Sequence, residues 1–403
     1  MFIDYIDTPR DMDRSLTLIT ILGKQLTLLS IQPLADLATC SIPLDTILTV
    51  CTNLKELYIH YEDHRDALIP SEWATLPLQS NLEILDFKES RLTAEVFEWI
   101  IPRCPRLKKL CTLNAGAKLF GLLSRHCPDL KYAYLAGRIV FYQFSPPRRN
   151  DEQKGLQFLS CYHNDEGGLR LIGNLAPLLT RNKDTLKGIA MGAVHQDVAV
   201  MQRLWKTVAT VQYDQLTEMY FECDAATSGT VGSGISKFLQ QCPALKKLYL
   251  KISGKVPNTF FATLIKLPNL RDLALFNFET CGGLKQYLDH LIALGHQSPL
   301  EVLGINHFKG MTDELLFAVA KIMTLRIIHF RGAFPLLGYR AMPQFFSLLE
   351  SNGNLDVLMM DNTLRYIEST IGVKLADLNN MTRNLYIKSG EKLNSIELRR
   401  KKQ

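Results

Sequence analysis

The sequence lacks most of the short signatures that announce chemistry. It has nine cysteines but no C-x-x-C pair, and none of its nine histidines stands in an H-E-x-x-H or other metal-ligand spacing. There is no G-x-S-x-G elbow and no active-site cysteine signature. The one glycine-rich stretch, Gly229-Thr230-Val231-Gly232-Ser233-Gly234, lacks the Gly-Lys-Ser/Thr ending of a phosphate loop and the third glycine of a dinucleotide fingerprint. It is expected to be a flexible lead into a helix. Acidic pairs such as Glu62-Asp63 and Asp165-Glu166 fall in connectors, where solvated charge is the ordinary reading. The expectation is therefore no enzyme, no metal and no cofactor.

Targeting signals are missing too. No N-terminal segment has the charged, apolar and cleavage regions of a secretory leader, and no apolar run reaches membrane-spanning length. With an odd number of cysteines in 403 residues, a disulfide framework is not indicated, so the expected compartment is cytoplasm or nucleus, and no membrane partner is expected. Blocks of like charge are absent except Arg399-Arg400-Lys401-Lys402. The net charge of +6 is otherwise scattered, which permits nucleic-acid contact without indicating it.

What the sequence has in abundance is one phrase. Cys242-Pro243-Ala244-Leu245-Lys246-Lys247-Leu248-Tyr249-Leu250 reads as a helix end, a stop and a short strand of pattern L-x-x-L-x-L. The first leucine of that pattern recurs at Leu26, Leu54, Leu82, Leu107, Leu130, Leu156, Leu186, Leu216, Leu245, Leu270, Leu300, Leu325 and Leu355, at separations of 23 to 30 residues. Self-similarity at such a period is the mark of leucine-rich repeats. Along a strand, side chains alternate faces, so the last two apolar positions enter a shared core and the residue between them points to the open face.

Parallel strands need a crossover, usually a helix. Segments Thr93–Arg103, Asp197–Thr210, Leu284–Leu294 and Thr312–Ile322 supply it; in the last, Leu315, Leu316, Val319 and Met323 mark one face. Thr93 and Thr312 stand at N-cap positions, with Glu95 and Asp313 in the first turn. Pro105, Pro128 and Pro243 each follow a cysteine at the helix-to-strand corner; Pro268 stands at the same place without one. Proline stops the helix and the small cysteine fits the corner. Cys51, Cys104, Cys127 and Cys242 all lie three residues before the aligned leucine, a packing role.

The predicted fold is an α/β leucine-rich-repeat solenoid, a horseshoe with a parallel sheet on the concave face and helices on the convex face. A solenoid grows repeat by repeat, so length does not force several domains. Residues 1–25 read as a partial first repeat, a strand and a helix with no cap, which predicts that a further segment or a partner covers this end. Residues 26–387 form the repeat domain, with a rim loop near 138–155 carrying Pro146-Pro147, and 388–403 form a polar basic tail in which no repeat continues.

Function is expected on the open face. The mid-strand outward positions include Tyr58, Tyr134, Tyr220, Tyr249 and His329, interspersed with the small Ala190, Ala274 and Gly304. Flanking outward positions add Phe158, Tyr162, Lys247, Lys251 and Arg331. Tyrosine offers large contact area and a hydroxyl and is enriched at interfaces, which points to a protein bound on the concave face. Aromatics in neighbouring strands can equally stack and stabilise the sheet.

The helix end Cys-Pro-x-Leu-x-x-Leu, at Cys104, Cys127 and Cys242, and the Gly310-Met311-Thr312-Asp313 stretch resemble the cysteine-containing repeats of F-box/leucine-rich-repeat proteins, which are ribonuclease-inhibitor-like. In the Cys127 copy Ala133 replaces the second leucine, and the ladder after the strand is reduced to Ser90 and Asp224. The resemblance implies substrate recognition for an SCF-type ubiquitin ligase, with an SCF adaptor as partner only if an F-box precedes these repeats. An adaptor unconnected to ubiquitin and a nucleic-acid-associated scaffold are the alternatives.

Overall fold

The computed structural model describes residues 1–6, 9–33, 44–59, 80–87, 94–112, 117–136, 154–163, 169–193, 198–223, 228–254, 256–278, 282–332, 336–337, 340–352, 354–361, 385–389 and 395–400. They fall into two compact units, Met1–Gln196 and Asp197–Gln403, a division that no shift in composition announces.

The first unit runs β1 (Phe2–Ile6), α1 (Pro9–Leu22), β2 (Leu28–Pro33), α2 (Leu44–Val50), β3 (Glu56–Ile59), β4 (Ile84–Phe87), α3 (Ala94–Ile100), β5 (Lys109–Thr112), α4 (Ala117–His126), β6 (Tyr132–Ala136), β7 (Phe158–His163), α5 (Leu169–Arg181) and β8 (Gly188–Ala193). Its strands pair in parallel, in chain order. The second unit runs α6 (Val198–Val208), β9 (Glu218–Cys223), α7 (Ser228–Leu239), β10 (Lys247–Gly254), α8 (Asn258–Leu264), β11 (Asp272–Phe278), α9 (Gly282–Leu294), β12 (Val302–Asn306), α10 (Asp313–Ala320), β13 (Ile327–Arg331), α11 (Ala341–Ser351), β14 (Val357–Asp361), β15 (Leu385–Ser389) and β16 (Ser395–Arg400). Strands β9 to β14 are parallel and sequential.

Register follows the repeated leucines. Met219, Leu248, Leu273, Leu303, Ile328 and Leu358 occupy one row across the second unit, and Phe221, Leu250, Leu275, Ile305, Phe330 and Met360 the next. Both rows are buried, as is every aligned leucine from Leu54 to Leu355. Each such side chain contributes about 1.5–3 kcal/mol of burial. The helices supply the opposite wall of the core: Trp205 of α6 meets Phe221 edge-on with ring centroids 5.4 Å apart, and Phe345 of α11 lies 5.8 Å from Phe330. Ala133 keeps the row in its repeat and is also buried.

Six of the repeats are stitched to the preceding one just before the strand begins. In four of them an asparagine just ahead of the aligned leucine donates to a backbone carbonyl of the preceding repeat: Asn53 to Lys24, Asn81 to Thr52, Asn269 to Pro243 and Asn354 to Met323, at 2.7–3.0 Å. Thr185 and Thr324 do the same through their hydroxyls, to Leu156 and Leu300. These bonds satisfy carbonyls at the corner that no strand reaches. Cys51, Cys104, Cys127 and Cys242 are all buried there, and the Cys242 thiol points at the Phe238 carbonyl at 3.3 Å. Burial pushes the Cys104 thiol up to about 11, which keeps it protonated and unreactive at neutral pH. In the last parallel repeat Asn352 takes the cysteine's place; it donates to Ile322 at 2.8 Å and accepts from the Asn354 amide.

Thr312 caps α10, accepting from the Leu315 amide, with Asp313 and Glu314 in the first turn. Two expectations are corrected. Gly229–Gly234 is not a flexible lead but the first half of α7. A Cβ on Gly234 would lie 2.6 Å from Trp205 Cδ1, and one on Gly232 2.7 Å from Pro257 Cδ, so the glycines let α7 approach its neighbours closely. Residues 388–403 are not simply a tail: β16 lies antiparallel between β14 and β15, carrying Arg399 and Arg400 into the sheet. Strand β15, expected near 385–387, is thus not a further parallel repeat strand. Thr93, residues 138–153 of the expected rim loop, Glu62-Asp63, Asp165-Glu166, Ser90 and Asp224 lie outside the described residues.

Candidate functional site

In the first unit, register brings Ser30, Tyr58, Asp86, Cys111, Tyr134, Ser160 and Ala190 into the central outward row. Much of this face is taken up by its own contacts. The Tyr58 hydroxyl donates to Glu56 at 2.9 Å, and Lys109 stands 3.7 Å from the buried carboxylate of Asp86. The rings of Tyr132 and Phe158 stack at 5.4 Å with planes 7° apart, leaving Phe158 only 6% exposed. Burial raises the Tyr134 phenol to about 12. Phe158, expected as a contact residue, therefore braces the sheet instead. Tyr162 takes its place in β7 opposite Gly192; its side chain lies outside the described residues.

The second unit shows three outward rows. The first holds Glu218, Lys247, Asp272, Val302 and Ile327; the second Tyr220, Tyr249, Ala274, Gly304, His329 and Met359; the third Glu222, Lys251, Phe276, Asn306, Arg331 and Asp361. At the β9–β10 side these groups pair off. Lys247 binds Glu218 at 3.1 Å, Lys251 binds the buried Glu222, and the Tyr220 hydroxyl donates to Glu222 at 3.0 Å. Tyr220 is 4% exposed, so this expected contact residue offers a partner almost no area.

The next strands are different. The Tyr249 hydroxyl donates to Asp272 of β11 at 2.6 Å, fixing the position of the ring. Beyond it come Ala274 and Gly304, then His329. Strands lie about 4.8 Å apart, so Tyr249 and His329 stand about 14 Å apart over a floor of one methyl group and one glycine. A Cβ on Gly304 would lie 3.3 Å from the Ala274 Cβ, so these two small residues lie close side by side, and both are buried. The structure thus brings Lys247, Tyr249, Lys251, His329 and Arg331 onto one face of one unit, with Tyr220 beneath its surface.

Along the lower edge, Asn306 is 2% exposed and its carboxamide oxygen has no donor. His307 follows in the left-handed region (φ 51°), its amide donating to the Arg331 carbonyl at 2.6 Å and its ring against Gly332. Its imidazole pKa is lowered, first by burial and then by the Arg331 and Lys251 charges. Asp272, Phe276, Asn306 and His307 were missed from sequence. Phe276 and Asn306 stand six residues past an aligned leucine, as Lys251 and Arg331 do, and that offset was the available signal. Asp272 follows the same rule two residues past the leucine, whereas nothing in the sequence marks His307.

Among the described residues no group of three or more His, Cys, Asp or Glu side chains is placed to hold a metal ion, and no helix is long and apolar enough to cross a membrane. No described protein family matches the chain, and no curated protein does. Seventy-six chains of solved structures match. One belongs to a crystal structure of a TLR13–ssRNA13 complex, 14% identical with a TM-score of 0.22, covering 85% of this chain and 60% of that one. The chain thus spans 60% of that neighbour's length.

The class of the protein comes from its own repeats. It is an α/β leucine-rich-repeat solenoid protein, in which strand-and-helix repeats of the L-x-x-L-x-L phrase lay down parallel strands in chain order within each unit.

Proposed function

We propose that the chain is a protein-recognition module whose binding surface is the open face of the second unit. The observation carrying this reading is the depression between Tyr249 and His329, floored by Ala274 and Gly304. An aromatic side chain held by its own hydrogen bond loses little freedom when a partner arrives, which favours affinity. A floor without side chains admits a protruding residue of the partner. The rest of the sheet face, where Tyr132, Phe158 and Tyr220 are committed to neighbours, serves as scaffold. Catalysis is not part of the reading.

The resemblance of the Cys-Pro-x-Leu-x-x-Leu helix ends supports a narrower proposal, in which the bound protein is a substrate delivered to an SCF-type ubiquitin ligase through an F-box elsewhere in the gene product. Affinity capture of the full gene product with mass spectrometry tests both levels. Ala274→Leu fills the depression and should release the specific partner, with a thermal melt checking that the variant stays folded. Unchanged capture by that variant would remove the depression from consideration. Absence of every SCF adaptor and cullin from the captured set would leave an adaptor unconnected to ubiquitin.

A further inference from the structure

We propose that Asn352 is a modification site: the side chain that closes the last parallel repeat deamidates when that corner opens, and the product keeps the corner from closing again.

The reacting pair is set by the sequence. Asn352 is followed by Gly353, and no other asparagine of the chain precedes a glycine. In an Asn-Gly pair the glycine amide nitrogen, with no side chain beside it, attacks the asparagine Cγ. The new C–N bond closes a cyclic imide, and Nδ2 leaves as ammonia, carrying away the proton that the glycine nitrogen gives up. Water then opens the ring at either carbonyl, to aspartate or isoaspartate. Water is the sole co-reactant, and nothing is oxidised or reduced.

The fold withholds what that attack needs. Asn352 is 1% exposed, so solvent does not reach its side chain. Its Nδ2 donates to the Ile322 carbonyl at 2.8 Å and its Oδ1 accepts from the Asn354 amide at 3.2 Å, which fixes Cγ in place. As the residue that ends α11 it has ψ 93°. That angle turns the next backbone nitrogen away from the side chain, whereas ring closure needs the nitrogen eclipsed with Cβ. Opening of the corner between α11 and β14 removes these restraints together. The rate in the folded chain is then the open fraction multiplied by the rate in an open chain.

The product does not fit the place it came from. Aspartate has no amide hydrogen for the Ile322 carbonyl and brings a charge into a buried position. Isoaspartate adds a methylene to the main chain between α11 and β14. Strand β14 pairs with β13 on one side and β16 on the other, so a corner that cannot reclose loosens that end of the sheet. The other corners, closed by Cys51, Cys104, Cys127 and Cys242, have no such reaction open to them.

The test holds the full chain in mildly alkaline buffer with and without urea. The peptide containing Asn352 is followed by mass spectrometry, and isoaspartate by enzymatic methylation. Deamidation at Asn352 should be rapid in urea and about a hundredfold or more slower in buffer. Gly353→Ala should slow it in urea, where folding plays no part. Phe345→Leu removes the α11 ring that packs on Phe330; it should speed the reaction several-fold in buffer and leave the urea rate unchanged. Phe97→Leu, an equally buried ring of α3 in the first unit, should do neither. Reacted chain returned from urea to buffer should show faster hydrogen exchange at the β14 amides than unreacted chain carried through the same step. The inference is overturned by equal rates in buffer and urea, by no reaction in urea, by equal acceleration in Phe97→Leu, or by unchanged β14 exchange after conversion.

Discussion

Tyr249 and Asp272, 23 residues apart in sequence, share a 2.6 Å hydrogen bond across β10 and β11. Burial raises the Asp272 pKa, while the bond from Tyr249 and the charge of Lys247 pull it down. A carboxyl with a raised pKa costs stability at neutral pH, and that cost fades as pH falls through the raised value toward the unfolded one. Tyr249→Phe deletes the stabilising donor. It should destabilise the second unit by about 1–2 kcal/mol at pH 7 and by less at pH 4, read by urea unfolding. Equal losses at both values would mean the carboxylate does not depend on the phenol.

Two helical glycines should respond oppositely to alanine. A methyl group added at Gly121 in α4 would meet nothing within 4 Å, so Gly121→Ala should stabilise by about 0.5–1 kcal/mol through helix propensity alone. Gly234→Ala drives a methyl into Trp205 and should destabilise by about 1–3 kcal/mol despite the same propensity gain. Thermal melts of the two variants decide it.

Asn352 and Asn269 each hold a carbonyl of the preceding repeat, at neighbouring positions of the corner and at different depth. Asn269 is exposed, and Asn269→Ala should cost about 0.5–1 kcal/mol. Asn352 is buried and makes two bonds, so Asn352→Ala should cost about 2–3 kcal/mol. Asn352→Cys, which restores the side chain found at this corner in Cys51, Cys104, Cys127 and Cys242, should fall between them. Urea titration of the three variants measures the order.

His307 provides a pH dependence of opposite sign to the Asp272 case. Its pKa is lowered in the folded protein, so protonation favours the unfolded chain. Stability should decline as pH falls from the ordinary histidine value through the lowered one, with burial the larger cause and Arg331 and Lys251 the charges that act on the ring. His307→Asn should flatten that decline between pH 7 and 5 in denaturant titrations.

The fold was legible because one apolar hexapeptide is repeated, and a strand period of two then assigns every outward residue. Lys251, Tyr249 and Arg331 were found by that rule. The rule says which way a side chain points, not what meets it there. Tyr220 points outward as expected, yet Glu222 and its neighbours enclose it; Phe158 points outward and is covered by Tyr132. The asparagines before Leu54, Leu82, Leu270 and Leu355 were visible at a fixed offset, but only the carbonyl opposite each one reveals their purpose. The glycines of α7 read as flexibility because sequence does not show which neighbour presses on a helix. The reversal at β16 has no periodic signal at all, since a single antiparallel strand repeats nothing.

The chain of Asn53, Asn81, Asn269 and Asn354 bonds has a mechanical consequence. Each one fastens a corner to the carbonyl just upstream, so tension on one corner is handed to the corner before it. Pulled at its two termini, each unit should yield in steps of one repeat, the step size set by the 23 to 30 residues released, and replacing a single asparagine should lower the force of one step while leaving the others in place.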